Sequence, residues 1–486
     1  MPLRDRRLAL ALPVTMLLGA CDMPQSAHVP DQPNMTLAAD ARITQGMVRQ
    51  SPGKAQQLGL VPLIDMAQKS NPRTRAAWAR AKEAAAAVGL VESTYLPRLS
   101  AEILSATNWG SNAAAEDPLG LLPRGTVHTK SHAAVAALSI QWLVFDFGVR
   151  EASRKVASEV SLAANVGITG VHQALIFEVA SAYYDLQAAT AREALQARRL
   201  TASEEIAAML RARQTQQLAT VTDVAQADQF VAQARFDLTT ARSGVGIAST
   251  KLATVVGLPP GTRITPDASA RLRLPSQPPA RIDEFVNQAL QRRPDLQMAF
   301  ANARASRAGV DAVEALFRPK IVATAALGRS VLSGSFGDSR FTNLLGTLSA
   351  ETHRSVKGVF VGVSIPLWDA NASQLRRESA LALAAAAEAD AEELRRVAEG
   401  EIIAAYETLK AALASSSAAG ELVRTARLTY DAARSRVEQG LATIAEVDVA
   451  LKLLYDAEIA QVEAIHAARA AAALLAFAGG QIGEGL

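Results

Sequence analysis

The sequence predicts an α+β membrane protein with an internal two-fold repeat. Three observations predict this class. A short string at 216–227 recurs almost unchanged at 439–450. No proline occurs between Pro123 and Pro259 or after Pro366, so two long tracts lack the strongest helix breaker. Four short segments alternate apolar and polar residues with the period of two that is typical of strands.

The repeat unit is about 220 residues long. The strings QQLATVTDVAQA and QGLATIAEVDVA start at 216 and 439, a shift of 223. Three more pairs keep a shift of 222 or 223: Asn71-Pro72 with Arg293-Pro294, Pro97 with Pro319, and Asp146 with Asp369. We therefore expect a first repeat at 61–255, a second at 283–478 and a tail at 479–486. The Pro- and Gly-rich segment 256–282 is the expected linker.

Both proline-free tracts are dense in Ala, Leu, Glu, Gln and Arg, which are good helix formers. In each repeat they predict a long helix, a tight turn and an antiparallel return helix, preceded by a shorter helix. The expected bounds are about 63–96, 149–217 and 220–255, then 284–317, 370–438 and 443–477. At 1.5 Å per residue the long helix spans ~100 Å, which is about the summed length of the two shorter ones.

Strands are predicted between the short and long helices, in hairpins at about 98–147 and 320–369. The alternating segments are 98–104, 138–142, 321–327 and 359–367, and the Gly- and Ser-rich segments 109–125 and 328–346 are expected loops. This pattern fits transmembrane strands, which need about 9–11 residues, although a half-buried strand of a soluble sheet has the same pattern. Four strands cannot close a barrel in lipid, so we expect a homotrimer with twelve.

The N-terminus predicts a targeting signal. Arginines at positions 4, 6 and 7 precede an apolar run that is too short to span a bilayer. Leu18, Gly19 and Ala20 then precede Cys21, the only cysteine, and the four residues resemble a bacterial lipobox. The resemblance implies a signal peptide at 1–20, lipidation of Cys21 and an extended arm at 21–60. The alternative is an ordinary signal peptide with a stray cysteine. Asp22 resembles an inner-membrane retention signal, which leaves the sorting route open.

The duplication, together with the order and spacing of three motif pairs, resembles the TolC-like outer membrane efflux proteins over about residues 60–478. The pairs are YLP with FRP, FDFG with LWDAN, and LATVTDV with GLATIAEV. The resemblance implies a homotrimer with a twelve-stranded barrel in the outer membrane and an α-helical barrel of antiparallel hairpins in the periplasm. It also implies an exit duct of a tripartite efflux or type I secretion system. The implied partners are a periplasmic adaptor and an inner-membrane transporter. The lipobox resembles the branch that serves proton-driven pumps rather than ABC exporters.

The resemblance places both turns at the periplasmic entrance, where an adaptor also docks. The implied tip residues are Leu218, Thr220, Thr222, Asp223, Gly440, Leu441, Thr443 and Glu446. In a trimer, Asp223 or Glu446 would form a ring of three carboxylates that favours cations. Alternatively Asp223 is the N-cap of the return helix, and Glu446 is a weak cap.

Other tip residues leave alternatives open. Arg436 and Glu438 form either a latch across subunits or a solvated face, and the facing of Asp448 is not predicted. Gln217 stands where the second copy has Gly440, which predicts a looser first turn.

Several functions find no support. His128 and His132 have a helical metal-ligand spacing but lie in an expected loop and strand start, so we expect no metal. No phosphate-binding loop or catalytic triad is evident, and we expect neither enzymatic activity nor a cofactor beyond the lipid. The formal charge of +3 predicts no nucleic-acid partner. Trp109 and Trp142 fit either an interfacial belt or ordinary packing. The rival function is a periplasmic coiled-coil lipoprotein, an adaptor or scaffold, with a single hairpin.

Overall fold

A computed structural model describes residues 56–113, 125–259, 261–267, 274–275, 277–339, 347–439 and 441–482. The predicted signal peptide, lipobox, Cys21 and Asp22 lie outside these residues, as does most of the predicted arm. The first half forms β1 (Gln56–Leu58), α1 (Leu60–Ser70), α2 (Pro72–Ser93), β2 (Arg98–Ala113), β3 (Thr126–Phe145), α3 (Val149–Thr215) and α4 (Val221–Val256). The second half forms β4 (Ile264–Pro266), α5 (Ile282–Arg292), α6 (Pro294–Ala315), β5 (Lys320–Asp338), β6 (Leu348–Ser364), α7 (Ala372–Glu438) and α8 (Ile444–Ala478).

The helices of the two halves match in length. Helices α3 and α7 have 67 residues each, and α2 and α6 have 22 each. The expected single helices at 63–96 and 284–317 are each two helices, because a proline follows Asn71 and Arg293. The residue before proline is driven to an extended conformation, which ends a helix. The side chain of Asn71 then caps α2 by accepting a hydrogen bond of 2.9 Å from the Arg73 N–H.

The large sheet has the order β2-β3-β5-β6, and all neighbouring strands are antiparallel. Its strands have 16 to 20 residues, longer than expected. The predicted loops at 109–125 and 328–346 are therefore partly wrong: residues 109–113 continue β2, and residues 328–338 continue β5. Their Gly and Ser residues look like loop sequence, but they keep the ladder hydrogen bonds. A small parallel pair of β1 and β4, which the sequence analysis does not predict, joins the arm to the linker.

The register keeps the apolar side chains on one face of the large sheet. One row across the four strands pairs Leu99, Ile140, Ala325 and Val359, whereas the adjacent row starts at Arg98 and Gln141 on the opposite face. Ile103, on the apolar face, is 84% exposed on the single chain. The sheet therefore presents an apolar surface that this chain does not cover, and the outer sides of β2 and β6 carry no strand partner among the described residues.

The helices pack as two antiparallel hairpins, α3 with α4 and α7 with α8, and α3 also contacts α8. The largest core lies where α1, α3 and α4 meet, around the fully buried side chains of Leu63, Tyr183, Leu186 and Leu252. Fully burying such side chains contributes about 1.5–3 kcal/mol each. This core holds α1, α3 and α4 together near the middle of α3, away from the turn that ends the hairpin.

Two helices in the described part, α3 and α8, are long and apolar enough over 18 residues to cross a membrane by length and composition alone. Both helices also supply core residues of the packed hairpins, such as Leu175 and Leu475. Their length and apolar composition are therefore weak evidence for a membrane span.

Candidate functional site

The first tip, between α3 and α4, is a tight turn with defined hydrogen bonds. The Gln217 N–H donates to the Gln214 carbonyl oxygen at 2.9 Å, and the Leu218 N–H donates to the Arg213 carbonyl oxygen at 2.9 Å. Gln217 adopts the left-handed conformation with φ of 64°. This is a Schellman motif, which satisfies carbonyl groups at a helix end.

The second tip, between α7 and α8, repeats this bond. The Leu441 N–H donates to the Arg436 carbonyl oxygen at 2.8 Å, a pair displaced by 223 from Leu218 and Arg213. The expectation of a looser first turn is therefore wrong, because Gln217 takes up the left-handed conformation despite its side chain. Gly440 and the Glu438 side chain lie outside the described part of the chain.

A capping box begins the return helix at the first tip. Thr220 is the N-cap, and the Asp223 carboxylate accepts from the Thr220 N–H at 2.8 Å and from its hydroxyl at 2.7 Å. The Asp223 N–H donates back to the Thr220 hydroxyl at 3.1 Å. The expectation of Asp223 as N-cap is corrected: it lies three residues later and closes the box. The Thr220 N–H, and then its hydroxyl, hold the pKa of Asp223 below its usual range, so the carboxylate is ionised at neutral pH.

Thr443 and Glu446 form the equivalent but longer contacts at the second tip. The Glu446 carboxylate accepts from the Thr443 N–H at 3.4 Å and from its hydroxyl at 3.2 Å. Arg436 lies 3.6 Å from Glu446 and donates to the Leu441 carbonyl oxygen at 3.2 Å. Arg436 thus contacts the turn of its own chain, and its side chain is 59% exposed, which agrees with the expected solvated face.

The tips expose apolar side chains beyond these polar caps. Leu218 is 72% exposed and Leu441 is 66% exposed, and Thr222 is exposed beside Asp223. In the helical part next to the tips, Leu210 is fully buried in a cluster with Val231. Ile444 of the other hairpin packs against this cluster. The structure therefore brings the two predicted tips into contact through an apolar cluster and leaves their ends free.

Asp448 faces inward, a direction that the sequence analysis leaves open. It is 4% exposed, and its Oδ2 atom has no hydrogen-bond partner. Burial raises the pKa of its carboxyl to about 6, although the charge of Arg199 opposes the rise. Its neighbour Val447 is also buried, whereas Val449 is exposed.

A buried ion pair joins the sheet to α3, and the sequence analysis treats its aspartate only as a landmark. The Arg150 Nε donates to the Asp146 carboxylate at 3.0 Å, and both side chains are buried. Arg150 also donates to the carbonyl oxygens of Thr94, Leu143 and Val144 and lies over the Tyr95 ring at 4.5 Å. The second repeat has Ser373 in place of Arg150, and its N–H donates to Asp369 at 2.7 Å.

The remaining candidates have structural surroundings. His128 and His132 both lie within β3, where a separation of four residues places them ~13 Å apart, too far to share a metal. No group of three metal-ligating side chains occurs in the ranges that the structure describes. The Trp142 Nε1 donates to the Tyr95 carbonyl oxygen at 3.0 Å, so this ring is fixed at the junction, whereas Trp109 is exposed.

An antiparallel sheet with an exposed apolar face, joined to two long helical hairpins, defines the class of outer-membrane channel that continues into the periplasm as helices. The family model described as outer membrane efflux protein matches residues 63–258 and 285–481. The chain belongs to this family, which confirms the resemblance, and it is an outer membrane channel of a tripartite efflux or type I secretion system.

Relatives and solved structures agree with this assignment. The chain is 29% identical to protein CyaE of Bordetella pertussis over 402 residues, which covers 81% of this chain and 78% of that protein. It is 26% identical to outer membrane protein OprJ of Pseudomonas aeruginosa over 356 residues, 70% of each chain. The CmeC outer membrane channel of Campylobacter jejuni shares its fold, with a TM-score of 0.69 at 15% identity, over 93% of this chain and 94% of that one.

Proposed function

We propose that three copies of the chain close a twelve-stranded barrel in the outer membrane, through which substrates pass from the periplasm to the outside. The outer sides of β2 and β6, which pair with no other strand in the described part of the chain, carry this proposal, because an open sheet edge is not tolerated in lipid. The two strands run antiparallel, so β6 of one copy can pair with β2 of the next. The matched elements of the two halves support an internal duplication, which gives each chain two hairpins for the helical barrel.

Membrane fractionation and gel electrophoresis test the closed barrel. We expect the protein in the outer-membrane fraction, and a trimer band that survives detergent at room temperature and converts to monomer on boiling. The reason is that a closed barrel leaves no backbone group unpaired in lipid. A water-soluble monomer without a membrane-embedded sheet would exclude the proposal.

The lipid anchor at Cys21 is a separate proposal, supported by the lipobox residues Leu18, Gly19 and Ala20. In cells that express either protein and are fed labelled palmitate, we expect the label on the wild-type chain and none on Cys21→Ser. A closed barrel holds the chain in the bilayer without the lipid, so the variant should still reach the outer membrane as a trimer. Equal palmitate labelling of both proteins would remove the anchor and leave the barrel untouched.

The tips are proposed as the periplasmic entrance and as the docking site of the adaptor. The exposed Leu218 and Leu441, beside the ionised Asp223, offer an apolar and acidic surface to a partner. The further partner is an inner-membrane transporter, with a proton-driven pump favoured over an ABC exporter because of the lipobox. Transport assays with each class of transporter distinguish the two. We propose neither enzymatic activity nor a cofactor apart from the covalent lipid.

Single-channel recordings separate the charge of Asp223 from its capping contacts. Asp223→Asn removes the charge but keeps an acceptor oxygen, whereas Asp223→Ala removes both. If three Asp223 carboxylates line the entrance, both variants lower the cation selectivity by a similar amount. If Asp223 acts only in the capping box, Asn keeps the wild-type selectivity, and the ring proposal is wrong. The same pair at Glu446, as Gln and Ala, tests the second tip.

A further inference from the structure

The contact between α3 and α8, here called the seam, contains two ion pairs. Arg198 lies 3.3 Å from Glu458, and Arg192 lies 3.0 Å from Glu463. These pairs are partly exposed, and such pairs contribute about 0–1 kcal/mol each. The seam joins the two hairpins of one chain, so its strength decides how closely their tips are held.

The seam also contains buried polar atoms that have no partner. They are Oε1 of Gln196, Oδ2 of Asp448 and Nε of Arg469, three of the five such side-chain atoms found among the described residues. A buried polar atom without a hydrogen bond costs free energy, and a buried charge costs much more. The seam therefore is not packed for maximum stability. Of these three residues, Asp448 is the titratable one that lies nearest the tips.

The charged neighbours of Asp448 do not neutralise it. Arg199 on α3 is the one group whose charge lowers the pKa of Asp448, and its guanidinium already donates to Asp237 of α4 at 2.8 Å. Both Arg199 and Asp448 are buried within the single chain. Assembly with other copies therefore cannot increase their exposure to solvent. An ionised Asp448 would thus lie in the seam without a counter-ion of its own.

A cavity of about 140 Å³ lies beside the seam next to Val447, and three titratable groups line it. Glu205 of α3 and Tyr430 and Arg434 of α7 line it. Further along α8, His466 is half-buried, and this burial together with the charge of Arg469 lowers its pKa to about 4. His466 is therefore neutral above that pH and does not change charge over the range in which Asp448 does.

We propose that ionisation of Asp448 regulates the entrance: a neutral carboxyl lets the seam close and hold the two tips of a chain together, and a carboxylate loosens the seam and lets them part. This rests on the proposed function of the tips as the entrance. The occupant of the site is a proton, and no other ligand is required.

The direction of the pH dependence follows from the raised pKa. In the closed seam the pKa is about 6, and in a loosened, hydrated seam it returns toward the ordinary value of 3.8. Closure therefore binds a proton and is favoured at low pH. The preference for the closed over the loosened seam falls as the pH rises through about 6, and it is constant at higher pH. A difference of about two pKa units corresponds to a change of up to about 100-fold in the ratio of closed to loosened seams.

The experiment measures the distance between spin labels at Leu218→Cys and Leu441→Cys in full-length protein in detergent, in a Cys21→Ser background, from pH 4.5 to 7.5. We expect the wild-type distances to lengthen and broaden as the pH rises to about 6. Asp448→Asn, which stays neutral, should keep the short low-pH distances throughout, and so should Asp448→Leu if the amide disturbs packing. Asp456→Asn, exposed two turns along the same helix, should behave as the wild type.

Single-channel conductance at the same pH values separates the two proposals. If conductance rises with the label distance in the wild type and stays low in Asp448→Asn, both are supported. If the label distances respond to Asp448 but conductance does not, the tips are not the entrance and the seam still responds to protons. If Asp448→Asn keeps the pH profile of the wild type in the distance measurement, the proposal for Asp448 is wrong.

Discussion

Asp146→Ala should destabilise the purified protein by about 3–5 kcal/mol, because it leaves the Arg150 guanidinium buried without its counter-ion. Arg150 also holds the carbonyl oxygens of Leu143 and Val144, at the end of β3. Loss of its position should therefore loosen the connection between the sheet and α3. Urea unfolding in detergent, followed by circular dichroism, measures the change in the free energy of unfolding.

The second repeat supplies the matched control. Asp369→Ala removes a carboxylate that accepts from the Ser373 N–H near the start of α7, a capping contact that contributes about 1 kcal/mol. The double variant Asp146→Ala with Arg150→Met should recover part of the stability, because no unpaired charge is then buried. If Asp146→Ala and Asp369→Ala lower the free energy of unfolding equally, the ion pair adds no stability beyond that of a capping contact.

Leu210→Ala should cost about 2–5 kcal/mol, because Leu210 is fully buried in the cluster above the tips and its loss leaves a cavity. Ile444 of the other hairpin packs against the same cluster. The cavity should therefore weaken both hairpins at their ends. Hydrogen exchange at the start of α8, together with the unfolding free energy, measures the effect.

Leu218→Ala is the control for this prediction. Leu218 carries the same side chain but is 72% exposed at the turn, so its truncation should change the stability by less than about 0.5 kcal/mol. Faster exchange at α8 in Leu210→Ala and not in Leu218→Ala would link the two hairpins through the cluster. If exchange at α8 is unchanged in Leu210→Ala, Ile444 does not depend on the first hairpin.

The long helices could be predicted because their signal is local. Tracts without proline and rich in alanine gave helices that start within two residues of the expected 149 and 370, and the recurrence of the LAT string located both turns. The strand ends were harder to predict, since residues 328–338 are rich in Gly and Ser and were expected to form a loop, whereas residues 328–336 pair with both β3 and β6. Propensity describes a residue alone, whereas a ladder is stabilised by partners that are distant in sequence.

The sequence predicted where the tip residues lie better than it predicted which contacts their side chains make. Thr220 and Asp223 lie three apart before an apolar run, which is a capping-box signature, but Asp223 was assigned to the wrong position in it. The surroundings of Arg150 depend on contacts with β3 and with the residues that follow α2. Those of Asp448 depend on contact with α3. In alanine-rich helices the apolar period is weak, so the sequence alone did not indicate which side Asp448 faces.

The unpaired outer sides of β2 and β6 have a kinetic consequence. Each exposes a row of backbone N–H and C=O groups, and each unsatisfied group costs several kcal/mol in hydrocarbon. A lone chain thus has no stable residence in the bilayer, and copies must meet before or while they enter it. The rate of insertion should then depend on chain concentration to a power greater than one, unlike that of a barrel made from one polypeptide.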